Sequence, residues 1–228
     1  MTTEKTGSKL NIVHFSSEYL ASDFSHGFKG GLGVVAGDIL RGLAEKGHSV
    51  RLLLPRIFDS YWRDRIEDDK RVKIEYVRAE GSQFSCGEIG GSIIDFPESY
   101  SHADITKFLK NINAFGNSAL EKLVSLSNSS QLDVVHFHDW HFGRLAEKVS
   151  KARAEGKLNP NLRIVSTIHN ALYQGRVPLT DESCATLGFD DKTPLSEFRQ
   201  NLHEGHYSFL KTILSTYYEL DLKSMFSS

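Results

Sequence analysis

Cysteine is nearly absent from this chain: two in 228 residues, Cys86 and Cys184, far apart in sequence. Neither a disulfide framework nor a zinc spacing can be built from them alone, so a reduced, cytoplasmic setting is the expectation. Long apolar runs are missing too. No stretch approaches the ~18 apolar residues of a membrane-spanning helix. The polar segment 1–9 lacks the apolar core of a secretory signal. Charge of one sign is also scarce, the formal net charge being −2. That argues against broad electrostatic attachment to nucleic acid or to a membrane surface. No internal repeat or low-complexity block is found. What remains is a globular composition, 39% hydrophobic and 25% charged, sufficient for one large α/β domain over 1–228.

One stretch organises the rest: His26-Gly27-Phe28-Lys29-Gly30-Gly31-Leu32-Gly33-Val34-Val35-Ala36-Gly37-Asp38. An apolar run ending in Glu18 precedes it and reads as a strand. Residues 39–47 follow and read as the rest of a helix. Strand, glycine turn and helix N-terminus together make an anion site, because free N–H groups and the helix dipole point there. Glycine lets a ligand approach the backbone.

The spacing predicts strand 10–16, helix 33–46 stopped by Gly47, and strand 49–55 ended by proline. This is a βαβ unit with a parallel strand pair. Residues 61–71 mix both charges and read as a solvated loop or short helix. Alternation over 72–77 predicts a half-exposed strand, with 88–96 as its hairpin partner. Residues 102–126 read as one long helix or two, with Phe115, Ala119, Leu120 and Leu123 among its apolar face. Strand 132–137, helix 142–155 and strand 162–168 follow, then a loop-rich region and a last helix over 206–220. The alternation argues for a doubly wound parallel sheet.

Ligands in such sheets bind outside the carboxyl ends of the strands. Three strand ends carry polar residues: Glu18 with the glycine turn, His136-Phe137-His138-Asp139-Trp140-His141, and His169-Asn170-Ala171-Leu172-Tyr173-Gln174-Gly175. All three converge on one crevice. His136 and His138 share a strand face, and with His141 they offer three zinc-type ligands. Trp140 reads equally as a packing residue or a sugar platform. His203-Glu204-Gly205-His206 lacks the i, i+4 spacing of a zinc-protease helix and reads as a surface segment.

These segments, with Gly47-His48-Ser49-Val50 and Asn113-Ala114-Phe115-Gly116-Asn117-Ser118, occur in an order that resembles the N-terminal domain of bacterial glycogen synthase and plant starch synthase. The resemblance covers roughly residues 9–215. It implies half of a GT-B glycosyltransferase, Rossmann-like in fold, acting in glycogen or starch biosynthesis. It further implies glucosyl transfer from a nucleotide sugar, ADP-glucose, to an α-1,4-glucan, without a cofactor. By matching position, Asp139 and His169 are the catalytic residues. Glu18, Lys29, Gly30, Gly31, Asn170, Tyr173 and Gln174 form the substrate-binding set. The matching family site uses no metal, so none is expected.

Two departures qualify the match. The family pattern is lysine, any residue, Gly-Gly-Leu, but Phe28 holds the lysine's place and Lys29 sits one residue later. The string from Gly30 to Asp38 is closer to the glycine loop of short bacterial α-glucan phosphorylases. The second departure is length. The family's other domain binds most of the nucleotide, and nothing in this sequence corresponds to it. The expectation is therefore an enzyme domain inactive alone, needing a second domain or a partner such as a separate chain that carries the C-terminal GT-B domain. Alternatives are a non-catalytic glucan-binding or regulatory subunit, and half of a phosphorylase-like enzyme.

Overall fold

The computed structural model describes residues 8–16, 31–55, 72–77, 102–129, 131–169, 176–178, 180–187, 202–203, 206–208 and 212. Its centre is a five-stranded sheet. The strands are β1 (Asn11–Phe15), β2 (Ser49–Pro55), β3 (Lys73–Val77), β4 (Val134–His138) and β5 (Arg163–Thr167). Their spatial order is β3-β2-β1-β4-β5, and every neighbouring pair is parallel. The helices are α1 (Gly31–Glu45), α2 (His102–Ser129), α3 (Gly143–Ala154) and the short α4 (Asp181–Leu187). This is the doubly wound architecture expected from the alternation of apolar runs.

Local sequence explains the boundaries. Gly47 sits at φ 87, a conformation that side-chain-bearing residues avoid. There its N–H donates to Ala44 O at 2.9 Å and the His48 N–H donates to Leu43 O at 3.2 Å, closing α1 with a Schellman pair. His48 then accepts the Leu10 N–H on Nδ1 at 3.2 Å, tying the start of β1 beside β2. Asp133 holds the other side of β1. Its Oδ2 accepts the Asn11 N–H at 2.8 Å, and its own N–H donates to Asn11 O at 3.0 Å.

Pleating sends alternate residues to opposite faces. Val13, Phe15, Val135 and Phe137 pack with Phe115, Ala119 and Leu123 of α2 and with Leu145, Ala146 and Val149 of α3. Phe15 stacks on Phe137 at 5.3 Å and meets Phe115 edge-on at 6.2 Å. Ala36 and Leu40 of α1 are buried outside this cluster. The layer arrangement is therefore helix, sheet, helix.

One expectation is met and one needs correction. The strand expected over 72–77 is β3, which adds to the core sheet parallel to β2 with Arg51 opposite Lys73. The suggested partner, 88–96, lies outside the described residues, as does 61–71. Glu75 explains how an alternating strand fits there. It reaches Arg51 at 2.7 Å, Lys73 at 3.1 Å and Lys122 of α2 at 2.8 Å, so its charge is matched from three sides. The last helix does not begin at residue 206. His206–Ser208 is a strand, β8, between β6 (Arg176–Pro178) and β7 (Leu202–His203) in a small antiparallel sheet. Backbone pairing on both sides outweighs the helical spacing of Tyr207 and Leu210. Of the remainder, Thr212 alone is described, and it is helical.

Candidate functional site at the carboxyl ends of β1, β4 and β5

Strand order reverses direction between β1 and β4: β2 and β3 extend to one side, β5 to the other. At such a point the connections leave in opposite directions and open a crevice at the carboxyl edge. Phe15 ends β1, His138 ends β4 with Asp139 next, and Thr167 ends β5 with Ile168 and His169 next. α1 starts at Gly31, on the connection leaving β1.

A row of histidines crosses these strand ends. The sheet register sets His14 opposite His136, and pleating puts His138 on the same face. His14 Nδ1 lies 3.2 Å from His138 Nε2. His138 Nδ1 lies 3.1 Å from His169 Nε2. His136 Nε2 meets Thr167 Oγ1 at 2.8 Å. The rings of His136 and His138 stack at 4.3 Å, and those of His138 and His169 at 5.4 Å. His14 and His138 are fully buried, and His136 nearly so. His14 Nε2 is buried with no hydrogen-bond partner among the described residues.

Burial disfavours the imidazolium form, and neighbouring imidazoles add to the effect. Burial first, then His136 and His138, hold His14 well below the usual histidine range. Burial, with His169 beside it, pushes His136 down to about 4. Burial, with His136 and His169, pushes His138 down to about 3. His169 is only half-buried. Burial lowers it, while the negative charge of Asp139 pulls the other way. All four rings are therefore neutral near pH 7.

Asp139 has a particular backbone. At φ 69 and ψ 178 it is the only non-glycine residue with positive φ among those described. That region costs a side-chain-bearing residue on the order of 1–3 kcal/mol. Two bonds hold it there. Its N–H donates to Thr167 O at 2.8 Å, carrying the β4–β5 ladder one residue past the strand. Its Oδ1 accepts the Trp140 N–H at 3.0 Å, capping the 3-10 turn Trp140–Phe142 that leads into α3. The strained conformation and the buried carboxylate thus occur together at the crevice.

Of the substrate-binding residues expected from sequence, Gly31 starts α1. Glu18, Lys29, Gly30, Asn170, Tyr173 and Gln174 lie outside the described residues. The structure brings Asp139 and His169 together with His138 between their strands. Trp140 is 1% exposed and stacks on His141 at 4.0 Å, which makes it a packing residue. The suggested histidine trio is altered: His14, not His141, joins His136 and His138. His14 was missed because one polar residue in an apolar strand has no local partner to reveal it. Its only signal was a histidine where a both-faces-buried strand calls for an aliphatic side chain. Cys184, in α4, is a free thiol that burial pushes upward, away from thiolate chemistry.

The chain is similar to known proteins over most of its length. The family model of the starch synthase catalytic domain matches residues 11–217. The glycogen synthase of Myxococcus xanthus is 28% identical over 191 residues, covering 74% of this chain and 37% of that protein. The glycogen synthase of Aliivibrio fischeri is 26% identical over 199 residues, covering 80% of this chain and 39% of that one. The catalytic domain of starch synthase IV from Arabidopsis thaliana, solved with ADP and acarbose bound, shares the fold. Its TM-score is 0.64 at 22% identity, over 90% of this chain and 43% of that one. The chain thus spans less than two fifths of the length of the two glycogen synthases.

Proposed function

The chain belongs to the starch synthase catalytic domain family, and on that premise we propose that it is the N-terminal half of a GT-B glucosyltransferase. It transfers glucose from a nucleotide sugar, ADP-glucose, to an α-1,4-glucan. The observation that carries this reading is the joint position of Asp139 and His169 at the carboxyl edge beside the topological switch, inside the matched span. In this reading 1–228 is a single domain, and a second domain or a separate chain supplies the other wall of the cleft.

The chemistry needs three things that this half can supply in part. Charge develops on the leaving diphosphate, and the N-terminus of α1 offers N–H groups and a positive dipole end toward it. The sugar must be held against its acceptor, because orientation alone lowers such barriers substantially. Asp139, rigid in its constrained backbone, and neutral His169, with Nε2 engaged by His138, are suited to that task. Glu18, Lys29, Gly30, Gly31, Asn170, Tyr173 and Gln174 complete the substrate contacts. Binding to only one side of the diphosphate forfeits most of the electrostatic stabilisation.

The test is glycogen-dependent release of ADP from ADP-glucose. The chain alone is expected to co-sediment with glycogen and release no ADP. With a polypeptide carrying the C-terminal GT-B half, release appears, and His169→Ala lowers it by about 100-fold or more. Absence of both glucan binding and ADP release would overturn the proposal. Binding that persists without turnover in the reconstituted pair favours a regulatory, glucan-binding subunit, a reading to which Phe28 in the family lysine's place lends weight.

A further inference from the structure

We infer that His14, His136 and His138 form a binding site for a divalent transition-metal cation of the zinc or cobalt type. The inference departs from the expectation of a metal-free site, which rested on family likeness and on a trio that included His141. Two histidines at i, i+2 on β4 and a third opposite them on β1 converge on one face of the sheet. One nitrogen from each ring lies within 4.8 Å of the others. One pair, His14 Nδ1 and His138 Nε2, is 3.2 Å apart. Two nitrogens bound to one tetrahedral zinc at ~2.0–2.1 Å stand roughly 3.3 Å apart, so that pair needs almost no movement.

The surroundings fit as well. A ligating histidine ordinarily has its second nitrogen held by another group, which sets the tautomer and the ring plane. His136 has Nε2 on Thr167 Oγ1, leaving Nδ1 for a cation. His138 has Nδ1 on His169 Nε2, leaving Nε2. Burial keeps the rings neutral, the form that binds metal. His14 presents Nδ1 to His138, and its second nitrogen, Nε2, is buried and without a hydrogen-bond partner among the described residues. Three imidazole donors select zinc, cobalt, nickel or copper over magnesium or calcium. An occupied site sets the His138 tautomer so that its Nδ1–H donates to His169 Nε2.

The experiment is a Co2+ titration of the tag-free full chain after chelator treatment, followed by visible absorption. One equivalent is expected to produce the ligand-field bands of a four- or five-coordinate ion, and Zn2+ to bleach them. His14→Asn and His136→Asn, each checked by far-UV circular dichroism, are expected to weaken binding by about 10-fold or more. His48→Asn, outside the cluster, leaves it unchanged. A folded wild-type chain that shows no stoichiometric bands overturns the inference without recourse to any variant. So do bands that survive both cluster substitutions. The readout is metal binding, so its failure leaves the glucosyltransferase proposal standing, and the converse holds.

Discussion

His138 Nδ1 stands 3.1 Å from His169 Nε2, joining the end of β4 to the segment after β5. The contact places His169 where the Asp139 carboxylate acts on it, raising a titration that burial lowers. Removing that charge has a definite sign. Asp139→Asn is expected to shift the His169 midpoint further down, read from its Cε1–H resonance in an NMR titration. A midpoint that moves up or stays put shows that the carboxylate does not face the ring.

The backbone of Asp139 gives a second expectation. Glycine adopts φ 69, ψ 178 without the side-chain penalty, so Asp139→Gly removes strain on the order of 1–3 kcal/mol. It also removes the bond from Trp140 N–H to Oδ1, worth about 0.5–1.5 kcal/mol. The unfolded glycine chain is freer as well, which offsets a further part. Stability is therefore expected to change by less than about 1 kcal/mol, while sugar-dependent activity of the reconstituted enzyme is lost. Urea midpoints and ADP release measured on the same sample check both halves.

Acid should weaken the metal-free chain well before its carboxylates titrate. In the unfolded chain, histidines protonate below ~6.5. In the fold, His136 resists to about 4 and His138 to about 3, and His14 is also held low. The facing charged or titratable group is His169, itself lowered, and Asp139 raises His169 in turn. The unfolded state thus binds more protons between ~6.5 and 4, and stability falls as pH falls. Each such histidine contributes a slope of roughly 1.4 kcal/mol per pH unit once below its unfolded value. Urea midpoints with chelator present, between pH 7 and 4.5, are expected to drop steeply, and less so in His136→Gln.

Lys148 carries the same sign at the alkaline end. Its Nζ donates to Asn113 Oδ1 and Asn117 Oδ1, both at 2.6 Å, fastening α3 to α2. Burial pushes it down to about 8. Above that pH the folded chain sheds a proton that the unfolded chain keeps to ~10.4, so this group adds stability as pH rises. Lys148→Met is expected to abolish that component. Comparing urea midpoints of wild type and variant at pH 7.5 and 9.5 tests it.

Gly47 offers a purely conformational test. A Cβ built there meets nothing within 4 Å, so φ 87 is the whole penalty. Gly47→Ala is expected to cost about 1 kcal/mol, a melting shift of roughly 2–4 °C for a chain of this size.

Much of the core could be read along the chain. The apolar runs of β1, β2 and β4 are nearly continuous because both faces are covered, and Phe115, Ala119 and Leu123 repeat at helical spacing in α2. Gly47 announced the end of α1. β3 was harder, since an alternating strand suits a half-exposed hairpin equally well. Glu75 is matched by Arg51 and Lys122, contributed by other elements. β8 was misread because Tyr207 and Leu210 stand at helical spacing. Yet His203 and His206 pair with only two residues of sequence between them, one a glycine, which short hairpin connections favour.

The residues alone specify the order of strands and helices and put Asp139 and His169 directly after strands. In a parallel sheet that is enough to bring both to one edge, because every strand's carboxyl end points the same way. They do not specify which strands are neighbours. Only the tertiary structure seats β1 against β4, with Asn11 and Asp133 bonded across 122 positions of chain, and so sets His14 opposite His136. Strand pairing is made by backbone groups common to every residue, so its partner choice leaves no mark on local sequence. The histidine row exists because of that choice.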